Sequence, residues 1–237
     1  MLNIAHRGFS EFYPENTMLA FEKALDYGST AIETDVQLTK DGELILIHDE
    51  ILDRTTNGQG LVNNYTYKEL RKLDAGSFKN KDFSNCKIPS LKELLSLIKD
   101  KNIILNLELK NSIIFYKNIE EKVISSICEE NIENKIIISS FNHGSINKVK
   151  SLNPNIKTGL LFKEKIENID QYCKERKPNC LNLYYKKITN NFLTEAHKKN
   201  FLINCYTVND KSSMENLIKM NVDGIITNRP DILKTLM

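Results

Sequence analysis

The amino-acid sequence predicts an α/β protein with the architecture of a (β/α)₈ barrel, the TIM barrel. Three observations support this prediction. Short apolar segments recur along the chain, stretches with helical spacing lie between most of them, and 237 residues are a usual length for one such barrel. Alternation of this kind favours a parallel sheet covered by helices. We therefore expect a single domain over residues 1–237, with an insertion at about 50–89 after the second strand.

The apolar segments predict nine strands, one more than the barrel needs. Asp41-Gly42 lies between two apolar runs, and Asp-Gly in that position is a strong hairpin signal. A tight hairpin makes its strands antiparallel, so residues 36–47 are expected to rise as a hairpin from the end of the second strand. The predicted strands are 2–6, 30–35, 43–47, 102–109, 135–139, 157–162, 180–183, 201–206 and 223–226.

Helical spacing fills most of the intervals between these strands. Residues 17–27 place their apolar side chains on one face, Gly28 suits the helix end, and Asn16 suits the N-cap. A capping box at Ser90 opens a helix that runs through Asp100. Further helices are predicted near 117–130, 143–151, 167–176, 190–199, 211–220 and 230–236.

One segment, residues 50–89, does not follow the alternation. It contains Thr55-Thr56-Asn57-Gly58-Gln59-Gly60, then polar and mixed sequence, and ends at Pro89. We expect this segment to pack beside the mouth of the barrel, with few clustered large apolar side chains.

Composition excludes several classes of protein. The formal net charge is +2 with no long basic block, which disfavours nucleic acid as the main partner. No stretch approaches the ~20 apolar residues of a membrane span, so stable membrane insertion is not expected. The N-terminus lacks a secretory pattern, and five cysteines without a CxxC pair suit a reducing compartment. These features predict a cytoplasmic protein and leave its oligomeric state open.

Acidic residues stand near the ends of two predicted strands, which is where a barrel forms its site. Glu33 and Asp35 are two residues apart and point to the same side, and Glu108 alternates with leucines in the next barrel strand. Unpaired charges in a partly buried pocket cost several kcal/mol each, so a cation is needed to offset them. Hard oxygen ligands suit Ca²⁺ or Mg²⁺, and we expect one such ion at these carboxylates.

Basic and imidazole side chains flank the same predicted place. Arg7 and Lys110 provide two fixed positive charges, which indicate an anionic substrate such as a phosphate. His6 ends the first strand, and His48 follows the hairpin back to the rim. Two histidines can supply a general acid and a general base near neutral pH.

Each of these residues alone also has a structural interpretation. A histidine at a strand end is more often structural than catalytic. The carboxylates of Glu33 and Asp35 could lie on a solvated strand face, and Asn106, Glu108 and Lys110 could form the wet side of an antiparallel strand. The coincidence of all these groups at one end of consecutive strands favours a site.

Beyond these residues, an ordered set of motifs covers nearly the whole chain. On them the sequence resembles the glycerophosphodiester phosphodiesterases, a family of metal-dependent phosphoric diester hydrolases. The motifs are His6-Arg7-Gly8, Pro14-Glu15-Asn16-Thr17, Glu33-Thr34-Asp35-Val36, Leu38-Thr39-Lys40-Asp41-Gly42, His48-Asp49, Arg54-Thr55-Thr56, Pro89-Ser90-Leu91, Glu108-Leu109-Lys110, Ser139-Ser140-Phe141, Tyr206-Thr207-Val208-Asn209 and Asp223-Gly224-Ile225-Ile226-Thr227-Asn228-Arg229-Pro230.

The resemblance implies a phospholipase-C-like barrel that releases sn-glycerol 3-phosphate and an alcohol from a small glycerophosphodiester. It also implies a role for each candidate residue. These roles are metal ligation by Glu33, Asp35 and Glu108, acid/base catalysis by His6 and His48, and phosphate binding by Arg7 and Lys110, with Glu15, Asn16 and Tyr206 in support.

Two positions depart from the family pattern. Tyr206 stands where the family often has Trp, and Asn228 stands where Asp is common. Both come late in the barrel, so we expect them to affect substrate fit more than chemistry.

Three other functions remain as alternatives. A lysophospholipase D-like or other phosphodiesterase could use the same barrel, given an apolar groove for an acyl chain. A non-catalytic barrel could bind phosphorylated ligands, although binding alone does not need an acid/base pair and three carboxylates. A sugar-phosphate isomerase would explain the adjacent His6 and Arg7 less well.

Overall fold

A computed structural model of the chain describes residues 1–164, 169–174 and 176–237, with the backbone alone at residue 170. Eight parallel strands close into a barrel because β1 pairs with both β2 and β9. The predicted (β/α)₈ fold is confirmed. The nine strands among the described residues are β1 (Leu2–His6), β2 (Ala31–Leu38), β3 (Leu44–Leu46), β4 (Ile104–Leu109), β5 (Ile136–Ser140), β6 (Lys157–Phe162), β7 (Cys180–Tyr184), β8 (Leu202–Tyr206) and β9 (Gly224–Thr227).

Strand β3, which lies outside the closed parallel barrel, belongs to the predicted hairpin. The stretch 31–36 of β2 pairs in parallel with β4, whereas residues 36–38 pair antiparallel with β3. Gly42 adopts a φ of +80° in the turn, which glycine tolerates without steric cost. The sequence placed a break between strand and hairpin at residue 35, but β2 runs through both.

Helices follow the barrel strands as predicted, and most of their ends lie within two residues of expectation. The predicted 167–176 helix is α6, and residues 167, 168 and 175 lie outside the described part. The helices are α1 (Met18–Asp26), α2 (Tyr67–Leu70), α3 (Leu91–Ile98), α4 (Ile119–Glu130), α5 (His143–Leu152), α6 (Ile169–Lys174), α7 (Asn190–Lys198), α8 (Lys211–Lys219) and α9 (Pro230–Leu236).

The N-cap of α1 corrects one prediction. The Thr17 side chain, not that of Asn16, accepts a hydrogen bond from the Ala20 amide. At α3 the predicted capping box of Ser90 and Glu93 is present.

The strands divide their side chains between two environments. On β4, Leu105 and Leu107 enter the main apolar core between sheet and helices. Asn106 points the other way, into the barrel, where its Oδ1 accepts a hydrogen bond from Ser139 Oγ at 2.9 Å. This alternation has the period of two that a strand imposes, and it leaves polar groups along the barrel axis.

Residues 47–90 lie beside the carboxyl ends of the strands. Lys79 Nζ donates to the carbonyl of Ser10 at 2.9 Å, which ties the segment to the loop after β1. The segment also has a buried apolar cluster shared with β3, so the expectation of few clustered apolar side chains is wrong. The cluster consists of Ile45, Ile47, Leu52, Val62, Leu70, Ala75 and Ile88.

No helix in the described ranges combines the length and apolar character that crossing a membrane requires.

Gly8 offers a test of the close packing beneath the site. A Cβ at Gly8 would lie 2.6 Å from the carbonyl carbon of Ala20, whereas one at Gly60 would have no atom within 4 Å. Their φ angles are nearly equal, at +80° and +82°. We expect Gly8→Ala to lower the free energy of unfolding by about 1–3 kcal/mol more than Gly60→Ala, because only Gly8→Ala overpacks. Urea unfolding measures both; equal losses would contradict this packing.

Candidate active site

A cavity of about 300 Å³ opens at the carboxyl ends of the barrel strands. This is the end at which (β/α)₈ barrels form their sites. Seven of the ten predicted site residues line it, whereas Asp35, Glu15 and Asn16 are not part of this lining. The seven are His6, Arg7, Glu33, His48, Glu108, Lys110 and Tyr206.

Three carboxylates meet at one side of the cavity. Glu33, Asp35 and Glu108 each offer an oxygen atom within 4.8 Å of the others. Parallel pairing causes this, because Asp35 is in register with Glu108 on the neighbouring strand. Burial raises the pKa of Glu33 well above its ordinary value, and repulsion from Asp35 and Glu108 adds to it. Burial and Asp35 likewise raise the pKa of Glu108. Three hard oxygen donors under mutual repulsion fit a divalent cation.

Asp35 differs from its two neighbours because cations surround it. Burial works to raise its pKa, but Arg7, His48 and Lys110 outweigh burial and lower the pKa to about 2. Arg7 Nε lies 3.3 Å and Lys110 Nζ 3.8 Å from its oxygens. Lys110 Nζ also lies 3.1 Å from Glu108 Oε1. Asp35 is therefore ionised at neutral pH with its charge partly balanced by the protein itself.

Asn16 holds Asp35 in place. Its Nδ2 donates to Asp35 Oδ2 at 2.9 Å, and its Oδ1 accepts from Thr34 Oγ1 at 2.7 Å. The backbone amide of Asn16 donates to the carbonyl of Arg7, and its φ is +54°. Asparagine tolerates this left-handed conformation better than most residues. Asn16 therefore orients a carboxylate of the site.

His6 is fixed by a residue from the last strand–helix loop. Its Nδ1 lies 2.6 Å from Asn228 Oδ1, and its Nε2 lies 3.9 Å from Glu33 Oε2. Burial, followed by the charge of Arg7, lowers the pKa of His6 to about 4. With Asn228 Oδ1 as acceptor, Nδ1 carries the proton and Nε2 keeps its lone pair. Asn228 contacts a histidine with a predicted acid/base role, so this departure from the family pattern bears on the candidate chemistry as well as on substrate fit.

His48 is held by a chain of ion pairs that crosses the mouth. Asp49 Oδ1 lies 2.6 Å from His48 Nδ1, and Asp49 Oδ2 accepts from Arg54 Nε at 2.6 Å. Arg54 also binds Glu15 in two contacts of 2.8 and 2.9 Å. Glu15 Oε1 in turn accepts from Arg7 Nη1 at 2.8 Å. The inserted segment thereby connects the imidazole of His48 to the guanidinium of Arg7.

Tyr206 lies on the aromatic side of the cavity. Its hydroxyl donates to the carbonyl of Phe162 at 2.7 Å, and its ring meets Phe141 edge-on with centroids 6.2 Å apart. Both ends of the side chain are therefore fixed.

The sequence patterns did not identify two further residues at the site, Gln37 and Lys163. Gln37 is fully buried, and its Nε2 lies 2.8 to 3.0 Å from the carbonyl oxygens of Ile47, His48 and Asp49. The sequence signal for Gln37 was a single polar amide side chain between two apolar strand residues, Val36 and Leu38. Lys163 lines the cavity with its Nζ 5.3 Å from the ring centroid of Phe141. Its position directly after β6, the fifth barrel strand, could have identified it.

The barrel and its polar mouth define the class of protein, an α/β-barrel enzyme with its site at the strand ends. Within that class, the chain belongs to the Glycerophosphoryl diester phosphodiesterase family, whose sequence model matches residues 6–232. The predicted family and enzyme class are confirmed.

Two relatives cover nearly the whole chain. A glycerophosphodiester phosphodiesterase of Caldanaerobacter subterraneus subsp. tengcongensis is 44% identical over 236 residues, which cover 100% of this chain and 97% of the relative. One of Bacillus altitudinis is 43% identical over 230 residues, covering 96% of this chain and 94% of the relative.

Solved structures agree with this assignment. An Oleispira antarctica phosphodiesterase, in complex with the product sn-glycerol-3-phosphate, matches with a TM-score of 0.89 and 28% identity. The match covers 98% of this chain and 95% of that one. A glycerophosphodiester phosphodiesterase from Thermotoga maritima matches with a TM-score of 0.82 and 27% identity, covering 100% and 99% of the two chains.

The carboxylates predict a stability that depends on pH and on metal. Since the pKa values of Glu33 and Glu108 are raised in the folded state, these two groups should lower the stability of the metal-free protein, relative to Glu33→Gln/Glu108→Gln, as pH rises from about 5 to about 8. His6, whose pKa is lowered to about 4, contributes in the opposite direction in both proteins. Asp35, lowered to about 2, titrates below this window. Added Ca²⁺ or Mg²⁺ should raise Tm by several degrees, and more at the higher pH. Differential scanning fluorimetry measures this.

The matched control is the double variant Glu33→Gln/Glu108→Gln. It should lack both the contribution of these two groups to the pH dependence and the metal effect, because its neutral amides neither titrate nor repel. A metal effect that is equal at both pH values, or that persists in the double variant, would contradict the assignment.

Proposed function

We propose that this protein hydrolyses glycerophosphodiesters, such as glycerophosphocholine or glycerophosphoethanolamine, to sn-glycerol 3-phosphate and the free alcohol. The observation that carries the proposal is one cavity that joins three carboxylates, two histidines and two basic side chains. The Oleispira antarctica relative supports it, since its complex holds sn-glycerol-3-phosphate. Family membership supports the same reaction.

A divalent cation, Ca²⁺ or Mg²⁺, is the proposed cofactor. Glu33, Asp35 and Glu108 would hold it, and a bound dication supplies Lewis-acid polarisation of a phosphoryl oxygen. Arg7 and Lys110 are proposed to bind the remaining phosphoryl oxygens and to stabilise charge as it develops there. Arg7 contacts Asp35 through Nε and Glu15 through Nη1, and neither of these two contacts involves Nη2.

The two histidines are proposed to move protons at opposite ends of the reacting phosphate. His6 is neutral at pH 7 with its Nε2 lone pair available, so it suits removal of a proton from the attacking oxygen. The attacker is water, or the neighbouring glycerol hydroxyl, in which case water then opens the resulting cyclic phosphate to give sn-glycerol 3-phosphate. His48 has the anionic partner Asp49 at Nδ1, which suits a ring that donates a proton to the leaving alkoxide.

We further infer that residues 1–237 act as one domain whose inserted segment completes the site through Arg54. The five cysteines without a CxxC pair support a reducing, cytoplasmic setting.

Histidine substitutions test the catalytic assignment. His6→Ala and His48→Ala should each lower kcat by about 10²–10⁴-fold, the usual contribution of an acid or base. His197→Ala is the control because His197 pairs with Asp223 at 2.8 Å and lies outside the cavity lining. It should keep its turnover. Glycerol 3-phosphate release and far-UV circular dichroism are measured together. Near-wild-type turnover in a folded His6 or His48 variant would refute that residue's role.

A head-group panel tests substrate and metal together. Glycerol 3-phosphate release from glycerophosphocholine and glycerophosphoethanolamine should cease with EDTA and return with Ca²⁺ or Mg²⁺. Lysophosphatidylcholine should be cleaved more slowly, because Leu52, Val62, Leu70 and Ile88 of the inserted segment are buried in its own cluster and are not available to an acyl chain. Faster cleavage of the lysolipid would favour the lysophospholipase D-like alternative. Binding of phosphorylated ligands without hydrolysis would favour the non-catalytic one.

A further inference from the structure

The loop after β4, residues 110–118, presents two large apolar side chains to solvent. Ile113 and Phe115 are each 76% exposed. The other exposed large apolar side chains in the described ranges reach at most 55%. Ile113 also lines the catalytic cavity, so this loop is part of the rim of the site. An apolar pair of this kind at a functional opening indicates a binding surface.

Contacts made by the neighbouring residues of this loop orient the side chains of Ile113 and Phe115 toward solvent. Asn111 Oδ1 accepts from the Tyr116 amide at 2.7 Å, and the Tyr116 hydroxyl donates to the buried Gln37 at 2.7 Å. Ile114 packs against the main apolar core. Because Ile114 and Tyr116 are anchored inward, Phe115 between them and Ile113 before them face solvent.

Lysines outnumber acidic side chains in the loops after four adjacent strands, one of which carries the pair. The loops that follow β4, β5, β6 and β7 contain a single acidic side chain among their described residues, Glu164, which pairs with Lys187 at 3.2 Å. The exposed lysines among the described residues of these loops are Lys117, Lys163, Lys186 and Lys187. We call Ile113, Phe115 and these four lysines the basic rim.

We propose that the basic rim binds the surface of an anionic lipid bilayer. Ile113 and Phe115 would enter the interface between headgroups and acyl chains, and the exposed lysines would meet the lipid phosphates. A protein partner fits less well, because two protruding side chains offer far less than the roughly 800 Å² per partner of a standard interface. The proposal goes beyond the proposed function, since binding requires no turnover.

Tryptophan fluorescence tests the proposal directly, because the chain contains no Trp. Phe115→Trp places the sole indole on the basic rim. Leu202→Trp is the matched control, since Leu202 is 47% exposed at the start of β8, at the opposite end of the barrel. The probes are large unilamellar vesicles of phosphatidylcholine, with and without phosphatidylglycerol.

The expected result is a blue shift of Phe115→Trp with vesicles that contain phosphatidylglycerol and none with phosphatidylcholine alone. Leu202→Trp should not shift. Lys117→Glu, added to Phe115→Trp, should weaken vesicle binding by at least about threefold, since each basic residue near the surface contributes to attraction. Addition of salt should weaken it further.

Three outcomes would overturn the proposal: no shift of Phe115→Trp, equal shifts of both variants, or a shift of Phe115→Trp that grows with protein concentration without vesicles. The last would mean that a second copy of the chain covers the surface. Phe115 lies outside the cavity lining, so Phe115→Ser should still hydrolyse glycerophosphocholine. Loss of vesicle binding with retained hydrolysis separates this proposal from the proposed function.

Discussion

Repulsion among three buried carboxylates is the constraint on which the rest of the site depends. Parallel register brings Glu33, Asp35 and Glu108 together, and burial alone would favour their neutral forms. Arg7 and Lys110 lower the pKa of Asp35 yet leave those of the other two raised. The protein therefore neutralises only part of this charge, which leaves a place for a dication.

A second consequence concerns the inserted segment. Arg54 binds Asp49 beside one histidine and Glu15 beside Arg7. The two halves of the site are thereby linked by salt bridges with excellent geometry, and such networks contribute more than isolated surface pairs. The segment also has its own apolar cluster, so Arg54 extends from a packed support rather than from a loose loop.

The sequence predicted the fold well because strand and helix periodicities are local. It also predicted the groups at the strand ends, since those follow from position along β1, β2 and β4. The sequence could not predict the contacts that form only when the barrel closes. Asn228 reaches His6 across 222 positions of sequence. Asn16 looked like a helix cap, but its contacts with Asp35 and Thr34 require a left-handed backbone there, so Thr17 takes the cap.

Isothermal titration calorimetry of Ca²⁺ and Mg²⁺ is the most direct measurement of the partly neutralised carboxylate site. The account predicts about one ion per chain, and proton release on binding that grows as pH falls, because the pKa values of Glu33 and Glu108 are raised and a metal binds their ionised forms. Repeating the titration in buffers of different ionisation enthalpy counts those protons, and Asp35→Asn should abolish binding. No binding to the wild-type chain, or undiminished binding to Asp35→Asn, would contradict the account.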